Sequence, residues 1–213
     1  MLLALQATVV HAQRSREFDM RDLARPQAFG IGGGINFGLY SGDIDENKEG
    51  FPNTSLFWRA GADGVATYRL GVIGGFSSMH LRASFGYHPL RASSDPYTFV
   101  NYVSSATLGV QFDFFVESPM RVVVYAGGGH MQFRLTAEEH QKGFMQRMGA
   151  TRGTTTGAIV FPIGVGVLWY AGRNTDISYQ FTKMLTSSDN LDGWVAHVRD
   201  NFQMISVGLI FYF

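Results

Sequence analysis

The sequence contains no cysteine among its 213 residues, and only 16% of the residues are charged. The absence of cysteine excludes a disulfide framework, a thiolate metal site and a cysteine nucleophile. The charged fraction is well below the roughly 25% of an ordinary soluble domain. Basic and acidic residues number 17 each, so the formal net charge is zero. This balance argues against a nucleic-acid partner, which would select a basic excess.

Long hydrophobic runs are also missing, because no stretch approaches the ~18 consecutive apolar residues of a membrane-spanning helix. Glycine and phenylalanine are abundant instead, with 26 and 18 copies. So much glycine disfavours long helices, since each helical glycine costs about 1 kcal/mol relative to alanine. The aromatic content argues against disorder. The length fits one large all-β domain.

The first thirteen residues, MLLALQATVVHAQ, have the pattern of an export signal. Leu2–Val10 is mostly apolar, and Val10-His11-Ala12 has the small-x-small character of a signal-peptidase site. A short buried strand or helix is the alternative. We therefore expect a signal peptide over residues 1–12, truncated at its start because it lacks a charged n-region, then a periplasmic segment over 13–26 and a folded domain over 27–213. An exported chain of this composition is either a periplasmic β-sandwich or an outer-membrane barrel.

Hydrophobicity alternates with period 2 in eight segments after residue 27, and each segment has one apolar and one small or polar face. The connections alternate between long and short: the long ones span 41–53, 89–98, 136–157 and 188–200. This alternation is typical of membrane barrels, which have short periplasmic turns and long outer loops. The sequence therefore predicts an all-β fold, an eight-stranded antiparallel up-and-down transmembrane β-barrel in the bacterial outer membrane.

The two faces predict where each side chain points. The aromatic and aliphatic faces suit lipid, and the small or polar faces suit a narrow filled interior. In a soluble sandwich, the alternative, the apolar face would instead form the core. On the barrel interpretation an interior charge network is predicted from alternation at Arg59, Asp63, Arg69, Arg82, Asp113, Arg134 and Asp176. Because buried charges require partners, we expect a paired plug, with a gated solute path as the alternative.

Other candidate sites are weak. His80, His88 and His130 share the polar face by alternation, but His80 and His88 lie about 26 Å apart along one strand and cannot share a metal. His140 with Glu138 and Glu139 could belong to a lipid-modifying site, yet no strained nucleophile turn is visible. The glycine clusters lack the Lys-Ser/Thr and helix of a phosphate loop. No cofactor, metal or catalytic residue is predicted.

The end of the chain carries a further signal. Phe211 and Phe213 match the terminal aromatic pattern of many outer-membrane barrels. We expect these two residues to act as a signal for the barrel-assembly machinery.

Residues 27–213 resemble the small eight-stranded outer-membrane barrel superfamily that includes OmpA-like and OmpX-like proteins. Within it, GIGGGINFGLYSGDI is similar to the glycine-rich strand and Y-x-GD start of a barrel family associated with type IX secretion and gliding. VYAGGGHMQF and FPIGVGVLWY…DISYQFTKMLTSSDNLDG are similar to that family's fifth to seventh strands. The resemblance implies an architectural barrel subunit without a catalytic motif.

These observations predict a non-enzymatic outer-membrane protein that acts as a structural or accessory subunit of an envelope complex, such as a secretion complex. Its expected partners are outer-membrane lipid, the assembly machinery and other envelope proteins. A narrow channel for small or hydrophobic solutes and a lipid-modifying enzyme are the alternatives.

Overall fold

The computed structural model describes residues 28–41, 59–94, 97–139, 151–152, 156–188, 191, 194–195 and 200–213. The predicted signal peptide, the segment 13–26 and His140 lie outside these residues. Ten strands are present in the described part of the chain: β1 Phe29–Ser41, β2 Arg59–Ile73, β3 Ser77–Ser94, β4 Tyr97–Phe114, β5 Met120–Glu139, β6 Thr151–Arg152, β7 Gly157–Gly172, β8 Thr175–Thr186, β9 Trp194–Val195 and β10 Asn201–Tyr212.

Eight of these strands form a closed barrel in the order β1-β10-β8-β7-β5-β4-β3-β2, while β6 and β9 pair separately. Every neighbouring pair in the barrel is antiparallel, and β1 closes the ring against β10 from Gly30↔Tyr212 to Ser41↔Asn201. Closure leaves no free sheet edge around the ring. The predicted eight-stranded antiparallel barrel is confirmed.

Among the described residues, no helix is long and apolar enough to cross a membrane.

One end of the barrel has short turns. Residues 74–76 join β2 to β3, residues 115–119 join β4 to β5, and residues 173–174 join β7 to β8. Gly74 and Gly75 have φ angles of 64° and 79°, a conformation that favours glycine because it has no Cβ. We call this the short-turn end and the opposite end the long-loop end.

The connection predicted as a long loop over 89–98 is a hairpin instead. β3 continues to Ser94 and β4 begins at Tyr97. The sequence PLRASSDPYT has the composition of a loop, but Pro89 lies just beyond the last β2–β3 pair, Ala62↔Tyr87. Proline is tolerated on such a free edge. β3, β4 and β5 therefore extend beyond the other strands at the long-loop end.

The outer surface carries a broad apolar band. On β7, for example, the outward residues Ile159, Phe161, Ile163 and Val165 are about half exposed. Such a surface around a closed barrel suits hydrocarbon, where charged side chains cost about 2–4 kcal/mol at the midplane. The band and the fold together confirm the predicted outer-membrane location.

On β5 the two faces are reversed relative to the prediction. Val123, Met131 and Phe133 are buried inside the barrel, whereas His130 and Arg134 are exposed on its outer surface. The prediction that Arg134 and His130 face the interior is therefore wrong. The reason is that the interior beside the upper half of β5 is apolar, while the outer face there has passed beyond the apolar band.

Candidate functional site: the barrel interior

The interior is organised in layers that follow β3 from its short-turn end. From the short-turn end upward, the inward side chains of β3 include Ser78, His80, Arg82, His88 and Leu90. All five side chains are buried. Polar and charged groups therefore fill most of the lower and middle interior, beside a small apolar cluster of Val123, Leu168, Ile210 and Tyr212, and apolar groups fill the top.

Arg121 is the centre of the lowest layer. Its Nη1 lies 3.3 Å from Asp113 Oδ2, and its Nη2 forms an ion pair with Asp176. The same Nη2 donates to the Tyr212 hydroxyl at 3.1 Å. These partners come from β4, β8 and β10, so a single guanidinium on β5 links four strands across the lumen. We call Arg121, Asp113 and Asp176 the ionic triad.

The carboxylate of Asp113 has further partners. Gln111 Nε2 donates to Asp113 Oδ1 at 2.6 Å, and His80 Nε2 lies 3.6 Å from Asp113 Oδ2. Ser78 Oγ lies 2.8 Å from the same His80 nitrogen. Extra hydrogen bonds of this kind offset the desolvation of a buried ion pair, which charge attraction alone repays poorly.

Arg82 forms the middle layer with neutral partners. Its Nη1 donates to Gln111 Oε1 and its Nη2 to Gln180 Oε1, both at 2.7 Å. Its Nε donates to Ser84 Oγ at 3.0 Å, and its guanidinium carbon lies 3.9 Å from the centre of the Tyr125 ring. The ring face attracts the cation. Because Gln111 contacts both Arg82 and Asp113, the two layers form one network.

A small cavity lies beside this middle layer. Its volume is about 30 Å³, and its lining includes Asp63, Arg82, His88, Ser105 and Thr182. On this measure a cavity needs about 10–15 Å³ to hold one water molecule. The cavity therefore has room for water.

An apolar cluster closes the lumen at the long-loop end. Leu191, in the β8–β10 connection, is fully buried within it. The Leu191 amide donates to Asp200 Oδ2 at 2.7 Å, and its carbonyl accepts from Asn101 Nδ2. Tyr40 Oη donates to Asp200. We call this cluster the apolar plug; it consists of Tyr40, Leu90, Val103, Met131, Phe133, Ala158, Val160, Met184, Leu191, Phe202 and Met204.

The structure brings together three of the seven predicted network residues. Arg82, Asp113 and Asp176 are buried in the layers described above. Three more of the predicted residues point inward on β2 and are half-buried: Arg59, Asp63 and Arg69. Asp63 also lines the small cavity. Arg134 does not belong to the network, since it lies on the outer surface.

Sequence reasoning missed Arg121, because the reversed assignment of β5 placed it on the lipid side. A signal was nevertheless available. Asp113 and Arg121 flank the short turn between β4 and β5, and Val122 pairs with Phe114. Two inward aspartates near the short-turn end require a nearby cation, and Arg121 is the arginine closest to that turn in the sequence.

The chain ends on the outer surface of the barrel. Phe211 and Phe213 are 45% and 69% exposed. The Phe213 amide donates to the Phe29 carbonyl at 2.9 Å, and the two rings lie 6.5 Å apart. Both phenylalanines are therefore accessible from outside, while their role in assembly stays a prediction.

Among the residues that the structure describes, no group of three or more His, Asp or Glu side chains could hold a metal ion.

No family model and no curated protein matches the chain. Among solved structures, Neisserial surface protein A is 13% identical with a TM-score of 0.56, over 87% of this chain and 97% of that one. OprG from Pseudomonas aeruginosa is 12% identical with a TM-score of 0.48, over 88% and 96%. Ail from Yersinia pestis is 13% identical with a TM-score of 0.46, over 88% and 100%. The chain thus has the fold of the small eight-stranded outer-membrane β-barrels, and these structures give no support to an association with type IX secretion.

Proposed function

We propose that this protein is a non-enzymatic barrel whose lumen is closed, and that it acts as a structural or accessory subunit of a larger envelope complex. The observation that carries the proposal is the filling of the interior. The ionic triad, the Arg82 layer and the apolar plug occupy successive levels of the lumen. A barrel filled in this way offers its surfaces to partners and does not conduct.

The outer extension of three strands supports the proposal. At the long-loop end, the last pair between β2 and β3 is Ala62↔Tyr87, and the last pair between β5 and β7 is Gln132↔Gly157. β3, β4 and β5 continue beyond these pairs. Strands that project beyond the ring present backbone groups and side chains away from the membrane. Such a projection suits contact with another envelope protein.

A pull-down from solubilised outer membrane tests this role. We expect a tagged barrel, extracted in mild detergent after crosslinking, to co-purify with a stoichiometric envelope protein. A variant with the extension shortened by deletion of residues 91–98 should lose that protein while still showing heat-modifiable migration on gels. Recovery of the barrel alone, or equal recovery of the partner by both forms, would contradict the proposal. The resemblance of the strand motifs to those of the secretion-associated family is the reason to look for that complex first.

The narrow-channel function has one observation in its favour, the small cavity beside Arg82. The apolar plug above it and the ionic triad below it argue against continuous passage. The lipid-modifying alternative rests on His140 with Glu138 and Glu139, whose side chains lie outside the described residues. The closed interior therefore favours the structural role.

A further inference from the structure

The outer faces of the strands carry few charges, and those charges have one sign. Among strand residues whose side chains the structure describes, Arg134 on β5 and Lys183 on β8 are the formally charged residues on the outer face, and both are exposed. His130 and Gln132 are exposed beside Arg134 on β5. The described strand aspartates all face the interior. The described outer faces of the strands therefore carry basic formal charges alone.

These residues lie towards the long-loop end. With a rise of ~3.3 Å per residue and a strand tilt of ~40°, His130 lies about 25 Å and Arg134 about 35 Å above Met120, the first residue of β5. The apolar band of an outer-membrane barrel is ~25 Å tall. Lys183 lies about 20 Å above Thr175, the first residue of β8. His130 is therefore level with the edge of the hydrocarbon and Arg134 with the head groups beyond it, whereas Lys183 lies within the upper part of the apolar band.

The neighbours of Arg134 extend the polar surface. Tyr102 pairs with Arg134 across β4 and β5, and Ser104 pairs with Gln132. The Tyr102 ring stacks on that of Tyr87, with centroids 5.7 Å apart and planes 15° apart. A guanidinium binds phosphate through two parallel hydrogen bonds. Amide, hydroxyl and aromatic groups beside it can contact sugar rings.

An apolar strip on β7 begins beside His130 and runs down to Lys183. β7 runs between β5 and β8, and its register places Ile159 opposite His130 and Ile163 opposite Lys183. These isoleucines are 53% and 51% exposed on the outer surface. A ligand whose head group is held by Arg134 and His130 would extend its apolar part along this strip, so the surface suits an amphiphile with a phosphorylated head and acyl chains.

We propose that this outer basic patch, comprising His130, Gln132 and Arg134, binds the phosphorylated sugar head group of a lipid A-type glycolipid in the outer leaflet. Arg134 holds a phosphate, and His130 and Gln132 lie beside it on the same face of β5. The acyl chains of the lipid lie along β7. Binding here requires only the barrel in its membrane and no protein partner.

The test uses the purified barrel refolded into phosphatidylcholine vesicles with and without lipid A. The variant H130A/Q132A/R134A removes the outward polar groups of the patch, and Arg173→Ala is the matched control, because Arg173 is an exposed cation at the short-turn end. Affinity is measured as the rise in the unfolding temperature with lipid A concentration, since a ligand of the folded state stabilises it by mass action. We expect the variant to bind lipid A with an affinity lower by on the order of tenfold, as for the loss of a charge-assisted contact. Arg173→Ala should bind as the wild type does.

Lipid A without its phosphates should not raise the unfolding temperature of the wild-type barrel. Equal affinity of the wild type and the triple variant would overturn the proposal, as would equal stabilisation by the dephosphorylated lipid. An equal loss in Arg173→Ala would show diffuse charge attraction and would also overturn it. Should the triple variant fail to refold, Arg134→Gln gives the same comparison at one exposed position. The assay contains no other protein, so a failed pull-down leaves its result unaffected.

Discussion

Replacement of Arg121 by methionine is expected to destabilise the barrel by about 3–5 kcal/mol, because it leaves the buried carboxylates of Asp113 and Asp176 without their shared cation. Methionine keeps much of the side-chain length and removes the charge. Urea unfolding in lipid vesicles, followed by tryptophan fluorescence, measures the loss. Arg173→Met is the control, since Arg173 is exposed in the β7–β8 turn and surface charges contribute little.

A combined variant separates charge from packing. When Asp113→Asn and Asp176→Asn accompany Arg121→Met, the three positions of the ionic triad no longer carry any charge. Replacement of a whole buried ion group by neutral residues is often close to neutral for stability. We therefore expect the combined variant to regain most of the loss. A combined variant as unstable as Arg121→Met alone would show that the arginine contributes through shape and not through charge.

Replacement of Phe202 by alanine is the second change with a large expected effect. Phe202 is fully buried in the apolar plug, and its ring lies 5.6 Å from that of His88. Truncation of a buried phenylalanine costs about 3–5 kcal/mol, because apolar contacts are lost and a cavity remains. The same unfolding assay should show this loss.

Phe181 provides the matched control for this second variant. It lies on the neighbouring strand β8 with its ring outward and 42% exposed, where it pairs with Ile205. Phe181→Ala should cost clearly less, since lipid chains fill the space that the ring leaves. Equal losses for Phe202→Ala and Phe181→Ala would show that the plug packs no more tightly than the lipid-facing surface.

The fold was predictable from the sequence because the alternation of apolar and polar residues has the same meaning on most strands. On β7, Ile159 to Val165 alternate with small residues, and the structure places these apolar side chains outward. The rule holds wherever the outer face meets lipid and the inner face is polar or small. Glycines on the inner face also follow from the narrow lumen: a Cβ on Gly127 would lie 2.6 Å from the Leu108 carbonyl oxygen.

The rule failed on β5 because both of its conditions change along that strand. Near its start, Val122, Val123 and Val124 are apolar on both faces, so alternation carries no information. Further along, Met131 faces an apolar interior while Arg134 has passed beyond the membrane edge. Here apolar side chains face inward and polar side chains face outward, which is the pattern of a soluble protein and the reverse of that on a lipid-facing strand. Only the register with β4 and β7 fixes which way these side chains point.

The candidate site was only partly predictable for the same reason. Asp113 and Asp176 were placed inside by alternation on their own strands, but alternation does not specify partners across the lumen. The contact between Arg121 and Asp176 joins residues 55 positions apart on different strands. The closure of the barrel creates that contact. The apolar plug was not predicted at all, since alternation assigned the interior to small and polar residues.

Current measurements across planar lipid bilayers containing the purified wild-type barrel test the closed lumen most directly. The plug at the long-loop end and the charged layers below it predict no resolvable single-channel current at moderate voltage. Phe202→Ala should also stay silent, because the Arg82 layer and the ionic triad still fill the lumen. Discrete, reproducible conductance steps from the folded wild-type barrel would contradict the account and favour the channel function.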